Sequence, residues 1–182
     1  MALLVLLPTA VLPADDVVAI VKVTDSVGVM LDWARRPDET ASRPIDSRTL
    51  RTIRNAPGDL EASGCRPTLE GVFWLQGEHD AFFGPYRPRH GTRLKSLRAG
   101  LREDLSAPEL FWFVADHSMK SSWGGKRIAA MNVQLTAIAR NGAHVSYVET
   151  GGLSDKRIGL GTEGTLLLGE RFAGAYESAR SK

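Results

Sequence analysis

"GVFWLQGEHDA", Gly71 to Ala81, is the stretch on which the reading of this chain turns. The run from Gly71 to Leu75 is apolar without alternation, the pattern of a strand covered on both faces. Within the next five residues come Gln76, Gly77, Glu78 and Asp80, with His79 between the acids. Buried strands usually run out into ordinary turn residues. An amide and two carboxylates packed this densely at a strand's end point to a site.

Outward from that strand the chain alternates. Val17–Val23, "VVAIVKV", is a β-branched run flanked by aspartates and reads as an interior strand. Leu110–Ala115 and Val145–Val148 complete a set of four. Asp32–Pro44 is a proline-punctuated loop. Helical spacing follows over Ser47–Ala62, through Leu50, Ile53 and Leu60, although Pro57 and Gly58 weaken it. Tyr86–Leu105 carries Leu94, Leu97 and Leu101 among arginines, an amphipathic helix of the surface kind. Lys126–Arg140 sets Ile128, Met131, Leu135 and Ile138 on one inner face and closes on Asn141-Gly142. Thr162–Ala179 is the last helix. Strands alternating with helices predict the α/β class: a three-layer α/β/α sandwich with a mainly parallel sheet.

The 182 residues suit a single domain spanning 1–182. Lys plus Arg is 23 against 21 for Asp plus Glu, which leaves no broad field for nucleic acid or an acidic membrane face. Cys65 is the single cysteine, so neither an intramolecular disulfide nor a cysteine metal cluster is expected. The opening "MALLVLLPTAVLPA" lacks a basic start, is interrupted by Pro8 and is too short to span a bilayer. It reads as an amphipathic segment leading into the fold rather than a signal peptide, and a cytoplasmic location is slightly favoured.

In sheets of this class ligands sit outside the carboxyl ends of the strands. The residues to weigh are therefore those in "TDSVG", "QGEHD", "DHSMKSSW" and "ETGGLSDKRIGLG". A glutamine at a strand end can aim amide hydrogens at a developing oxyanion, and a glycine beside it lets substrate approach the backbone. The plainer alternative has Glu78 and Asp80 capping the next helix or pairing with Arg87 or Arg89. His117 follows a strand at the ligand edge and is the best candidate base. His79 is a further candidate, whereas His90 starts an arginine-rich helix and His144 opens a strand at the wrong edge. Ser26 follows the first strand without a Gly-x-Ser-x-Gly elbow. No metal-ligand spacing and no cofactor motif is present.

"GVFWLQGEHDA" resembles the Trp-x-Gln-Gly-Glu-x-Asp-Ala signature of the sialate O-acetylesterase-like carbohydrate esterases, in the SGNH-hydrolase superfamily. "RIGLGTEGTLLLGERFA" resembles the family's last block, and the likeness runs from about Val17 to Tyr176. It implies a serine esterase that removes acetyl groups from sugars with a Ser–His–Asp triad. Gln76 would be the oxyanion donor with Gly77 beside it, Gly28 would lie in the turn that adds a backbone N–H, and Glu78 and Asp80 would hold the loop. Asp155 is the nearest match to the triad acid. The family's nucleophile sits in a Gly-Gln-Ser-Asn block, and no such tetrapeptide occurs here. The triad histidine aligns with Gly159 or Ile158.

The expectation is thus an acetylesterase-like domain deficient in hydrolysis, truncated at its amino end, with acetylated carbohydrate as ligand. The alternative is a non-catalytic binding module for acetylated glycans, with Gln76, Glu78 and Trp123 as contacts. A rebuilt esterase would pair Ser26 with His117 or His79. The serine-bearing strand belongs near the middle of the superfamily's sheet, so its absence implies a gap, or an exposed edge that could pair with a second copy of the chain.

Overall fold

In the computed structural model, residues 2–10, 16–24, 30–33, 45–118, 125–153 and 160–181 are described. Of 2–10, 16–18, 24, 31–32 and 45–48 it describes the backbone alone. The strands are β1 (Ala2–Ala10), β2 (Asp16–Thr24), β3 (Gly71–Leu75), β4 (Phe111–Ala115) and β5 (Val145–Val148). The helices are α1 (Ile45–Ala62), α2 (Glu78–Phe82), α3 (His90–Asp104), α4 (Gly125–Asn141) and α5 (Gly161–Arg180). Short 3-10 turns occupy Met30–Trp33 and Arg87–Arg89.

The sheet order is β2-β1-β3-β4-β5. β3, β4 and β5 are parallel, and β1 runs antiparallel to both its neighbours. Four strands therefore point one way and β1 alone is reversed. Alternation along the strands sorts the core into two layers. Val72, Trp74, Trp112 and Val114 face Leu94, Leu97, Leu101, Leu135 and Ile138 on one side. Phe73, Phe113 and Ala115 meet Leu168, Phe172 and Tyr176 of α5 on the other. Two covered faces explain why β3 and β4 read as unbroken apolar runs. Aromatic contacts stitch them: the Phe73 and Phe113 rings stack at 4.8 Å, and Trp74 and Trp112 lie 5.9 Å apart. At the opposite end of the sheet Arg102 donates to the Leu110, Ala143 and His144 carbonyls.

The α/β sandwich and the inner face of α4 are as expected, with Ile128, Met131, Leu135 and Ile138 all buried. Four expectations are corrected. The opening residues form β1 instead of a lead-in segment, and β1 occupies the place inside the sheet where a gap was expected. All nine residues pair with β2, and the first five, from Ala2↔Leu75 to Leu6↔Gly71, pair with β3 as well. Pro8 lies beyond the last β3 pair, where only β2 flanks the strand and a missing N–H is tolerated. Secondly, β2 is an edge strand, not an interior one. Val21 and Val23 pack on the core, while Ile20, on the alternate face of the strand, is 58% exposed.

Thirdly, α1 runs unbroken through Pro57 and Gly58; the burial of Ile53 and the packing of Leu50 against the core offset the local cost. Fourthly, α3 is no surface helix, since His90, Arg93 and Arg98 are buried along with its leucines. The Asp32–Pro44 loop lies mostly outside the described residues. No helix among the described residues is long and apolar enough to cross a membrane.

Candidate functional site

The carboxyl ends of β2, β3, β4 and β5 meet at one edge, together with Ala2 at the start of β1. Gln76 leaves β3 there, 1% exposed, and its Nε2 donates to Asp80 Oδ2 at 2.8 Å. Gly77 precedes α2 with φ 145° and ψ −8°, a conformation open to glycine. A Cβ there would lie 2.7 Å from Met131 Cε and 3.1 Å from His90 Cε1. The motif's backbone is thus pressed against α4 and α3.

Asp80 is fully buried and ties three segments together. Its Oδ2 also accepts the Met30 N–H at 2.8 Å, and its Oδ1 faces His90 Nδ1 at 3.8 Å. Burial pushes this carboxyl up, but His90, the Gln76 amide and the Met30 N–H outweigh it and leave the pKa below the ordinary 3.8. The acid thus neither caps α2 nor meets Arg87, which donates instead to the Ala81 carbonyl.

Glu78, the first residue of α2, faces a second imidazole: its Oε1 lies 3.9 Å from His117 Nδ1. His117 follows β4, and Asn132 of α4 grips its backbone on both sides, accepting its N–H at 3.2 Å and donating to its carbonyl at 2.9 Å. Burial pushes the imidazole pKa below the usual 6.5; the Glu78 carboxylate and the Gln76 carbonyl pull the other way without restoring it. With an acceptor at Nδ1, the neutral ring carries its proton there, and Nε2 keeps a buried lone pair with no partner among the described residues.

A testable consequence follows from linkage. The folded-state pKa of His117 lies below the unfolded value, so the chain binds fewer protons folded than unfolded as pH falls below 6.5. The stability held above 6.5 is lost progressively as pH drops toward the folded value. His117→Gln should flatten that decline, as read from denaturation midpoints at about pH 7.5 and pH 5.5. A wild-type His117 imidazole that titrates at or above 6.5 by NMR would contradict it.

Other groups at this edge have structural employment. Asp116 accepts from the Thr150 N–H, the Thr150 hydroxyl at 2.7 Å and the Tyr147 phenol at 2.8 Å. Burial, with Asp116 alongside, pushes the Tyr147 phenol up to about 12, so it remains a donor. Ser118 donates its hydroxyl to the Thr150 carbonyl at 2.6 Å and does not present it to His117.

The structure brings Gln76, Gly77, Glu78, Asp80 and His117 together. His79 is half-buried on α2, and its imidazole joins neither pair. His144 is exposed at the amino end of β5, away from the site. Ser26, Gly28, Trp123 and Asp155 lie outside the described residues, as do Ile158 and Gly159. Sequence reasoning set His90 aside as the start of an arginine-rich helix, whereas it is buried against Asp80. The signal was available, because positions 90, 94, 97 and 101 form one helical stripe whose other members are the buried leucines. Among the described residues no group of three or more His, Cys, Asp or Glu could hold a metal ion.

A crystal structure of a protein from Arabidopsis thaliana superposes with a TM-score of 0.66 at 23% identity. The match covers 83% of this chain and 57% of that one, and it shows a shared fold. No protein of curated function matches the sequence. The profile described as "carbohydrate esterase, sialic acid-specific acetylesterase" matches residues 8–178, which span the strand, the Gln-Gly-Glu-x-Asp loop and both imidazole pairs. The chain belongs to the sialic acid-specific acetylesterase family of carbohydrate esterases.

Proposed function

We propose that this chain is a carbohydrate O-acetylesterase-like domain that takes acetylated carbohydrate at the carboxyl edge of its sheet and hydrolyses it at a rate close to background. The observation that carries this reading is the direction of β1. A serine block following the central strand would need that strand to end at the ligand edge. β1 is reversed, so the residues after Ala10 leave from the far edge, and no Gly-Gln-Ser-Asn occurs anywhere in the sequence. Support for retained binding comes from the loop: Gln76 and Gly77 keep the residue types suited to an acetyl carbonyl, Asp80 accepts from the Gln76 amide, and Glu78 faces His117.

The expected result is that turnover of p-nitrophenyl acetate and of an O-acetylated sialic acid stays near background, and that Gln76→Ala changes it little. A kcat/KM on the order of 10⁴ M⁻¹ s⁻¹ or more, ordinary for enzymes, would overturn the reading. The second reading, a binding module without hydrolysis, is favoured by Glu78, whose side chain stays 29% exposed beside the buried His117 and can accept from a sugar hydroxyl. It predicts saturable binding of the O-acetylated sugar without release of acetate, read by calorimetry.

A further inference from the structure

We infer that His90 is a positioning residue: acting through Asp80, it sets the orientation of the Gln76 amide and anchors Met30, the first residue of the 3-10 turn Met30–Trp33. Nothing in the motif itself names it. The inference deepens the reading of Gln76 as the group that faces the ligand, and it rests on that reading for its functional meaning.

The geometry points to His90 in three ways. First, Asp80 divides its two oxygens. Oδ2 serves two neutral donors, Gln76 Nε2 and the Met30 N–H, each at 2.8 Å. Oδ1 is buried without a hydrogen bond among the described residues, and the group facing it is His90 Nδ1 at 3.8 Å. Secondly, both residues are 0% exposed, so neither side chain has bulk water as an alternative partner. A buried carboxylate needs compensation, and the His90 imidazole, its Nδ1 toward Oδ1, is the group that stands opposite it. Thirdly, His90 is held from the other side. Its Cε1 lies 3.1 Å from the position a Gly77 Cβ would take, and the next residue's N–H is accepted by Gln134 Oε1 of α4 at 3.0 Å. The ring is wedged between the motif backbone and α3, leaving the carboxylate little freedom to rotate.

The consequence is a relay of orientation and not of protons. α3 places His90, His90 orients Asp80, and Asp80 then dictates where the Gln76 amide and the Met30 backbone sit. Rotation of the carboxylate would release both donors at once. Met30 and Asp80 are 50 residues apart in sequence, so this one side chain couples the turn after β2 to the loop after β3. Those two loops are the ones expected to surround an acetyl group.

Hydrogen exchange at the Met30 backbone amide and at the Gln76 side-chain amide tests this without any ligand, so its outcome is independent of whether the chain binds sugar. Three variants of the full chain are compared: His90→Ala, His90→Asn and His90→Gln. The Asn amide nitrogen falls near the place of Nδ1, and the Gln amide nitrogen near that of Nε2. His90→Ala and His90→Gln should speed exchange at both reporters by about tenfold or more, the scale of one charge-assisted hydrogen bond, relative to the Leu97 and Trp112 amides in the same samples. His90→Asn should restore protection to near the wild-type level. If all variants speed exchange uniformly across α3 and β4, His90 is mere packing and the inference is wrong. Unchanged exchange at Met30 and Gln76 overturns it equally. Should the alanine variant fail to fold, the contrast between His90→Asn and His90→Gln decides alone: equal behaviour rejects the proposal and rescue by Asn alone supports it.

Discussion

Gly77→Ala should destabilise the protein by about 2–6 kcal/mol, from two contributions of about 1–3 kcal/mol each. The backbone at φ 145°, ψ −8° is strained for any residue with a side chain. The added methyl would also sit 2.7 Å from Met131 Cε, 2.9 Å from its Sδ and 3.1 Å from His90 Cε1. A methionine tip is adaptable, but Met131 is fully buried and the imidazole beside it is not flexible. The two contributions are separable. In a Met131→Ala background the clash with Met131 disappears while the backbone strain stays, so Gly77→Ala there should still cost about 1–3 kcal/mol. Urea denaturation of the four proteins measures this. A single-variant loss under about 1 kcal/mol, a typical cost for an unremarkable site, would mean that the loop relaxes freely.

Asp80→Ala has the other large expected effect, a loss of about 3–5 kcal/mol, the usual cost of removing one member of a buried charged network. Two buried donors lose their acceptor together, the Gln76 amide and the Met30 N–H, and His90 loses the carboxylate that its Nδ1 faces. Against a typical total stability of about 5–15 kcal/mol, such a loss moves the thermal midpoint by many degrees. The effect carries a pH signature. The folded-state pKa of Asp80 lies below the ordinary carboxyl value of 3.8, so its contribution is fully present above that pH and disappears as pH falls through the lower folded value. The wild type should therefore lose stability in that acid window, and Asp80→Ala should show a shallower fall. Parallel acid profiles, or an alanine variant within about 1 kcal/mol of wild type, would remove Asp80 from its place at the centre of the loop.

Much of this was legible from residue order, for local reasons. The helical stripe Ile128, Met131, Leu135 and Ile138 announces its own buried face, and α4 buries all four. The apolar runs of β3 and β4 report two-sided cover. The density of polar groups after Leu75 marks the site, because such groups at a strand end need partners from elsewhere. What failed did so where the deciding contact is distant in sequence. The β-branched residues of β2 look alike whether the second face is covered or open, and Ile20 turned out exposed. Arginines around His90 suggested a solvated helix, although its register with Leu94 and Leu97 placed it inside.

From its sequence alone the chain determined its class, the order of β2 to β5 and of the four long helices, and the loop at which chemistry would be sought. These depend on the spacing of apolar residues and on motif composition, which need no distant partner. Only the tertiary structure decided that Ala2–Ala10 enters the middle of the sheet in reverse and that each acid of the Gln-Gly-Glu-His-Asp loop meets its own imidazole. Strand direction and side-chain pairing are settled by which long-range contacts can close together, and an apolar segment reads the same in either direction until its neighbours are in place.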